Sequence, residues 1–257
     1  MSTTRLIVLS RDTEQGALTV DEDAPDRTNG ERAMKIGILG TGMVGTTLGG
    51  KMVELGHDVC LGAREATHEG ANAWAKEHAS HASGGSARAG SFADAASHGE
   101  LVLVATKGEH TENALALANA ASTLAGKIVI DVTNPLDFSK GMPPSLTIAN
   151  DDSLGERLQR AYPKAKIVKA LNTMWCGLMV NPRMLPDTHH TFVSGDDADA
   201  KAKVGELLRS MGWRDDEIVD LGGISSARGT EMYLPLWVRI YGAKGTGAFN
   251  LKLVFAG

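Results

Sequence analysis

Short apolar runs alternate along this chain with longer stretches whose apolar residues recur at helical spacing. Residues 36–39, 58–61, 101–105, 127–132 and 167–171 read as buried strands, and 190–194 and 217–221 as two later ones. Between the first two, 46–55 carries Leu48, Met52, Val53 and Leu55 on one helical face, with Gly56 as a stop. Further helices are predicted near 70–81, 92–96, 109–124, 153–162 and 198–211, and the final segment 225–257 reads as mostly helical. Ser153 with Glu156 three residues on has the spacing of a helix N-cap. Strands alternating with helices predict an α/β fold: a Rossmann-type, doubly wound, mostly parallel sheet with a small, largely helical C-terminal lobe.

Composition narrows the classes without naming a chemistry. A chain of 257 residues can bury a sizeable core unaided, in one large or two small domains. The net charge of −5, with no basic tract, argues against nucleic acid as a partner. No apolar run reaches the length of a membrane span and the N-terminus lacks a signal-peptide pattern, so no membrane is expected and the cytoplasm is the default location. Cys60 and Cys176 read as buried small hydrophobes, and the eight histidines show no zinc-site spacing, so no metal is expected. Residues 1–33 hold four Lys/Arg against seven Asp/Glu around an apolar patch at 6–9, and read as an appended, flexible extension.

The chemistry begins at the end of the first strand. Gly40, Gly42 and Gly45 form G-x-G-x-x-G, and the strand–turn–helix–strand order around them is the context this motif requires. The motif's first glycine makes a tight turn, its second lets backbone approach a pyrophosphate, and its third lets helix and strand pack closely. Thr41, Met43 and Val44 complete that phosphate turn. Where the second strand ends, an NAD site usually carries an acidic residue for the ribose hydroxyls; here Gly62, Ala63 and Arg64 stand there instead. An arginine fork suits a 2′-phosphate, which makes NADP(H) the expected cofactor. Residues 34–195 are accordingly read as the NADP-binding domain.

Ligands of such sheets bind beyond the carboxyl ends of the strands. Thr106 and Lys107 after the predicted strand 101–105, and Asn134 after 127–132, are therefore expected to line the cofactor crevice. Residues 135–150 turn loop-like, as an ordered excursion over the site, and Asn172, Thr173 and Met174 follow the strand 167–171.

On KIGILGTGMVG, GAR after the second strand, GEH at 108–110, VKALNT at 168–173, VSGDD at 193–197, ARGTEMYLPLW at 227–237 and GAFNLKL at 247–253, the chain resembles the NADPH:coenzyme F420 oxidoreductase family and the related nicotinamide-binding domain of STEAP-type ferric reductases. The likeness covers roughly 34–254. It implies a homodimer and hydride transfer between NADP(H) and a deazaflavin, coenzyme F420, with FMN or FAD as related small-molecule acceptors. It implies that 196–257 contributes to the acceptor site and the dimer. By the same resemblance Ala63 and Arg64 match a Ser–Arg or Thr–Arg pair at the 2′-phosphate, with Ala63 lacking the hydroxyl. Asn172 matches a position near the reacting rings where some members carry His, and Phe249 an apolar residue beside them. Lys107 departs from a Pro of the archaeal members. Arg228, Arg239 and Lys244 are candidates for the deazaflavin's anionic tail.

Direct hydride transfer between bound rings asks mainly for proximity, alignment and exclusion of water. That matches a sequence without a nucleophile motif or an acid/base dyad, and makes the roles of Asn172, Phe249 and Met174 positional. Two other readings compete: an NADP-dependent carbonyl or imine reductase, which would want a proton donor near the nicotinamide, and a non-catalytic NADP(H) sensor.

Overall fold

The computed structural model describes residues 33–256. The expectations for residues 1–32, the acidic extension and its apolar patch, lie outside the described residues. The elements in chain order are β1 (Lys35–Leu39), α1 (Met43–Glu54), β2 (Asp58–Ala63), α2 (Glu69–Glu77), β3 (Ser86–Ser91), α3 (Phe92–His98), β4 (Leu101–Val104), α4 (Gly108–Leu117), α5 (Ala120–Thr123) and β5 (Ile128–Asp131). There follow β6 (Leu136–Asp137), β7 (Ser145–Leu146), α6 (Leu154–Ala161), β8 (Lys166–Ala170), α7 (Cys176–Val180), β9 (Thr191–Ser194), α8 (Ala198–Ser210), β10 (Ile218–Asp220), α9 (Ala227–Met232) and α10 (Leu234–Lys244).

Eight strands form one sheet in the order β10-β9-β8-β5-β4-β1-β2-β3. From β3 to β8 all neighbours are parallel; β9 then runs antiparallel to β8, and β10 parallel to β9. The fold is thus the mostly parallel, doubly wound sheet expected, with helices on both faces and a helical C-terminal region. Its centre is made of strands apolar on both sides: β4 (LVLV) is buried at every position, as is β1 (KIGIL) after its first residue, as a sheet covered by helices requires. Two apolar clusters, one per face, are built around Ile38, Leu61 and Leu103 and around Leu39, Val102 and Val129.

Four local features depart from the sequence reading. β3, SARAGS, carries no apolar side chain larger than alanine and occupies the outer edge of the sheet, so periodicity does not reveal it. The helix expected over 109–124 is broken in two, because Asn119 adopts a left-handed conformation (φ 53°) between α4 and α5. Residues 196–220 continue the main sheet, through α8 and β10, instead of opening a separate lobe. After α10 the helix stops at Gly245 (φ 69°), and 246–256 contain no helix. That last stretch is held by its backbone: the N–H of His190 donates to Leu251 O at 2.9 Å.

Candidate functional site

The site is assembled at the carboxyl ends of the central strands. After β1 the chain turns through Gly40 at φ 126°, a conformation open to glycine, where a Cβ would lie 2.5 Å from the Ala105 carbonyl oxygen. The Gly40 N–H donates to Gly62 O at 3.0 Å, which ties the turn to the end of β2. Gly45, on the first turn of α1, faces back onto this loop; a Cβ there would sit 2.0 Å from Gly40 O. Gly42 is different, since a Cβ built on it meets nothing within 4 Å. Gly42 caps α1 in an extended conformation without a side chain, and no acidic residue occupies the helix's first turn. The first N–H groups of this twelve-residue helix therefore face open space with no internal acceptor, at the positive end of the dipole, which is the physical requirement for holding a phosphate.

In front of this turn lies a cavity of about 540 Å³, within the range of small-molecule sites. It brings together Gly40, Thr41, Gly42, Met43, Val44, Ala63, Arg64, Thr106 and Lys107. Gly45 is buried behind it. His68, Phe92, His110 and Asn113 complete the walls; the sequence reading missed them as site residues. Phe92 was hidden because the strand β3 that delivers it was not foreseen, although the helix it opens was, whereas His68, four residues past Arg64, was legible as a nearby imidazole. Among the described residues no Asp or Glu lines the cavity. The loop after β4 is locked by a 2.9 Å hydrogen bond between the Thr106 and Thr111 hydroxyls.

Asn134 and Asn172 do not line this cavity; they form a separate pair. The Asn134 side-chain amide donates to Asn172 O at 2.8 Å, and the Asn172 amide donates back to Asn134 Oδ1 at 2.9 Å. This reciprocal clasp joins the ends of β5 and β8. Leu171, immediately before it, is held at φ 61°, a strained value for a branched side chain, and aims the following turn. Asn172 Oδ1 and Thr173 Oγ1 are buried with no hydrogen-bond partner among the described residues, leaving unspent capacity for a polar ligand group. Phe249 stacks on Trp237 with centroids 5.3 Å apart, and Trp237 stacks in turn on Tyr241 at 5.5 Å. Gly247 comes up against Trp175, where a Cβ would be 3.0 Å from the ring. Asn250 fastens the segment by donating to His190 O at 3.0 Å and pairing with His189 Nδ1 at 2.8 Å.

Beneath these loops lies a buried ion cluster that the sequence reading did not single out. Lys169 of β8 sits opposite Asp131 of β5 in the parallel register. Its ammonium contacts Asp131 Oδ2 at 2.8 Å, Glu231 Oε1 at 2.7 Å and Thr133 O at 2.7 Å, with all three charged side chains 0–1% exposed. Burial depresses the lysine pKa, but the two carboxylates outweigh it, so Lys169 is held above its usual value and charged. Glu231 also accepts the N–H groups of Leu154 and Gly155 at the start of α6, at 2.8 and 3.0 Å. The signal in the sequence was a lysine inside the apolar strand IVKA, matched by an aspartate in IVID. Arg228, considered for an anionic tail, is engaged elsewhere: it grips Glu156 through two hydrogen bonds at 2.8 and 2.6 Å and holds that carboxyl below its usual pKa. Arg239 and Lys244 are exposed.

A mostly parallel sheet in this strand order, with a glycine phosphate turn and a cavity free of carboxylates among the described residues, has the features of a dinucleotide-binding fold. Residues 35–135 match the family model described as NADP oxidoreductase, coenzyme F420-dependent. A crystal structure from Arthrobacter sp. FB24, named as a candidate F420-dependent NADP reductase, is 47% identical with TM-score 0.80, covering 87% of this chain and all of that one. The chain belongs to the coenzyme F420-dependent NADP oxidoreductase family, and is an NADP-dependent oxidoreductase. It is also similar to metalloreductase STEAP3 of Rattus norvegicus, 29% identical over 233 residues, 85% of this chain and 41% of the relative. The chain thus spans about two fifths of the length of that relative. A reductive aminase from Aspergillus terreus in complex with NADPH has TM-score 0.55 at 19% identity, covering 83% of this chain and 63% of that one, which shows a shared fold alone. Among the described residues no helix is long and apolar enough to cross a membrane.

Proposed function

We propose that the protein exchanges hydride between NADP(H) and a deazaflavin, coenzyme F420, or a related flavin. The observation that carries the cofactor half is the cavity: a glycine turn with free helix N–H groups, Arg64 at the end of β2, and, among the described residues, no carboxylate on its walls. In this reading the backbone of Gly40–Gly45 takes the pyrophosphate and Arg64 the 2′-phosphate, while Phe92 packs against the adenine. When bound, NADPH supplies the hydride. This chain's own residues bind, orient and exclude water. Asn172, clasped by Asn134, offers its spare Oδ1 to the nicotinamide carboxamide, and the Trp237–Phe249 stack forms an apolar wall.

The acceptor half draws on the family and on the Arthrobacter relative, and one structural feature favours it over carbonyl or imine reduction. Thr106, Asn134 and Asn172 at the strand ends are not ionisable, and Lys169, Asp131 and Glu231 beneath Asn134 and Asn172 are sealed and mutually paired, which leaves Lys107 and His110, on the wall beside the glycine turn, as the accessible ionisable groups at the end of β4. Hydride transfer between rings needs no side-chain proton donor, whereas a carbonyl does. The exposed apolar side chains of Leu236, Tyr241 and Met232 on α9 and α10 support a homodimer through this region. The test is an acceptor panel: purified protein with NADPH and, in parallel, F420, FMN, FAD and small ketones or imines, following NADPH oxidation. Turnover with F420 or a flavin is expected. Fast reduction of a ketone or imine alone would overturn the reading, and tight NADPH binding with no acceptor reduced would make the protein a sensor.

A further inference from the structure

The cluster of Lys169, Asp131 and Glu231 supports the turn that carries Asn134. An ammonium has three donors, and this one has three acceptors: Asp131 Oδ2 at 2.8 Å, Glu231 Oε1 at 2.7 Å and Thr133 O at 2.7 Å. No donor is left over, so the head group is fixed. Thr133 is gripped a second time, because Asp131 Oδ1 accepts its N–H at 2.9 Å and its hydroxyl at 2.6 Å. The N–H, carbonyl and side chain of Thr133 are thus all taken by Lys169 and Asp131. Glu231 closes the arrangement, since the N–H groups of Leu154 and Gly155 that it accepts tie it to the start of α6.

Net stability does not account for such a cluster. Apolar residues of similar volume often hold a buried contact as well as an ion cluster does, or better, and β5 is already joined to β8 in register from Ile128–Lys166 to Asp131–Lys169. What the charges add is direction. One residue past Thr133 stands Asn134, which exchanges hydrogen bonds of 2.8 and 2.9 Å with Asn172. Lys169 stands three residues before Asn172 on the opposite strand, so the cluster holds both sides of this clasp. The clasp engages the backbone carbonyl and the side-chain amide N–H of Asn172, and leaves the buried Oδ1 without a partner among the described residues. We propose that Lys169 is a positioning residue for the nicotinamide: by holding the Thr133 carbonyl it fixes the Asn134–Asn172 clasp, and with it the direction from which Asn172 Oδ1 meets the carboxamide. The inference rests on the placement of Asn172 at the nicotinamide and is independent of the hydride acceptor.

The test compares NADPH with 2′,5′-ADP, which lacks the nicotinamide, so that no turnover is involved. Binding of each to the full chain is measured by calorimetry, with thermal unfolding alongside. One variant pairs Lys169→Met with Glu231→Gln, which relieves the charge left by the lysine but cannot restore the bond to Thr133 O. A second, Thr133→Val, removes the hydroxyl bond to Asp131 and leaves all three charges paired. The third is Asn172→Ala. We expect the Lys169 pair to weaken NADPH by about three- to ten-fold while 2′,5′-ADP changes less than about twofold, and Thr133→Val to shift the same ratio in the same direction. Added to Asn172→Ala, either change should bring less than about twofold further loss, because both act through one oxygen. A merely structural role gives another result: equal losses for both nucleotides, or losses that multiply with that of Asn172→Ala, would overturn the role of Lys169. If the Lys169 pair does not fold, Thr133→Val and its combination with Asn172→Ala decide by the same criteria. An Asn172→Ala that binds NADPH and 2′,5′-ADP as wild type does would remove the placement of Asn172 itself, and the inference with it.

Discussion

Lys169→Met tests how the loops of the site are held. The ammonium lies 2.7–2.8 Å from two carboxylates and a carbonyl, in a place with no solvent. Its removal leaves Asp131 and Glu231 facing each other uncompensated. Breaking a buried pair by deleting one partner costs about 3–5 kcal/mol, a large share of the ~5–15 kcal/mol that holds a typical domain together. For a fold of this size that corresponds to a melting point lower by roughly 6–20 °C. Charge removal can be separated from lost packing with the double variant Lys169→Met with Glu231→Gln. The glutamine side chain of that variant can keep one of the two α6 N–H bonds through its single amide oxygen and carries no charge, and should recover about 1–3 kcal/mol. The pH dependence follows from the raised lysine pKa. The stabilisation is fully present below the unfolded-state lysine value of ~10.4 and is lost as pH rises through the higher folded-state value. The gap between wild type and variant should therefore be flat from neutral pH to about pH 10 and close above it. Chemical denaturation of the three proteins measures this. A loss under about 1 kcal/mol for Lys169→Met, or a double variant no more stable than the single, would refute the argument.

Other substitutions probe the cofactor turn and an exposed ion pair. Gly42→Ala should leave stability within about 1 kcal/mol, since its Cβ meets open space, while weakening NADPH binding; Gly45→Ala should lose about 1–3 kcal/mol by collision with Gly40 O. Equal unfolding midpoints for the two would show that their environments do not differ as described. Arg64→Ala should weaken NADPH by about ten- to a hundred-fold with little effect on NADH, measured by fluorescence titration, and equal losses would remove its phosphate role. Asp152 is held at about 2 by Arg157, Arg160 and the Ser153 N–H against its own partial burial. Its contribution, about 1 kcal/mol after solvent screening, should be present in Asp152→Asn comparisons above pH ~4 and vanish as pH falls toward the folded value. A constant difference across that range in acid unfolding would count against it.

What was legible in the sequence was local. The turn Gly40–Gly45, its helix and Arg64 lie within thirty residues of one another, and each residue type answers a requirement of the backbone or a phosphate. The edge strand β3 was not legible, because alanine and serine carry no period when a strand needs no large apolar face. The helix break at Asn119 depended on a left-handed residue other than glycine. Pairings across the fold were also silent: Asn134 with Asn172, Lys169 with Asp131 and Glu231, and Phe249 with Trp237 are contacts between distant segments that only the closed sheet brings about. The nicotinamide end of the site therefore rested on resemblance, whereas the adenosine end could be derived.

The central claim is direct passage of hydride between NADPH and a deazaflavin, and isotope tracing meets it most directly. With NADPH carrying deuterium at the transferable position of the nicotinamide and oxidised F420 in ordinary water, the account predicts that the deuterium appears on carbon in the reduced deazaflavin. In the converse experiment, with unlabelled NADPH in deuterated water, that position should stay unlabelled. Loss of the label to solvent, or the absence of any F420 reduction under conditions where NADPH binds, would contradict it.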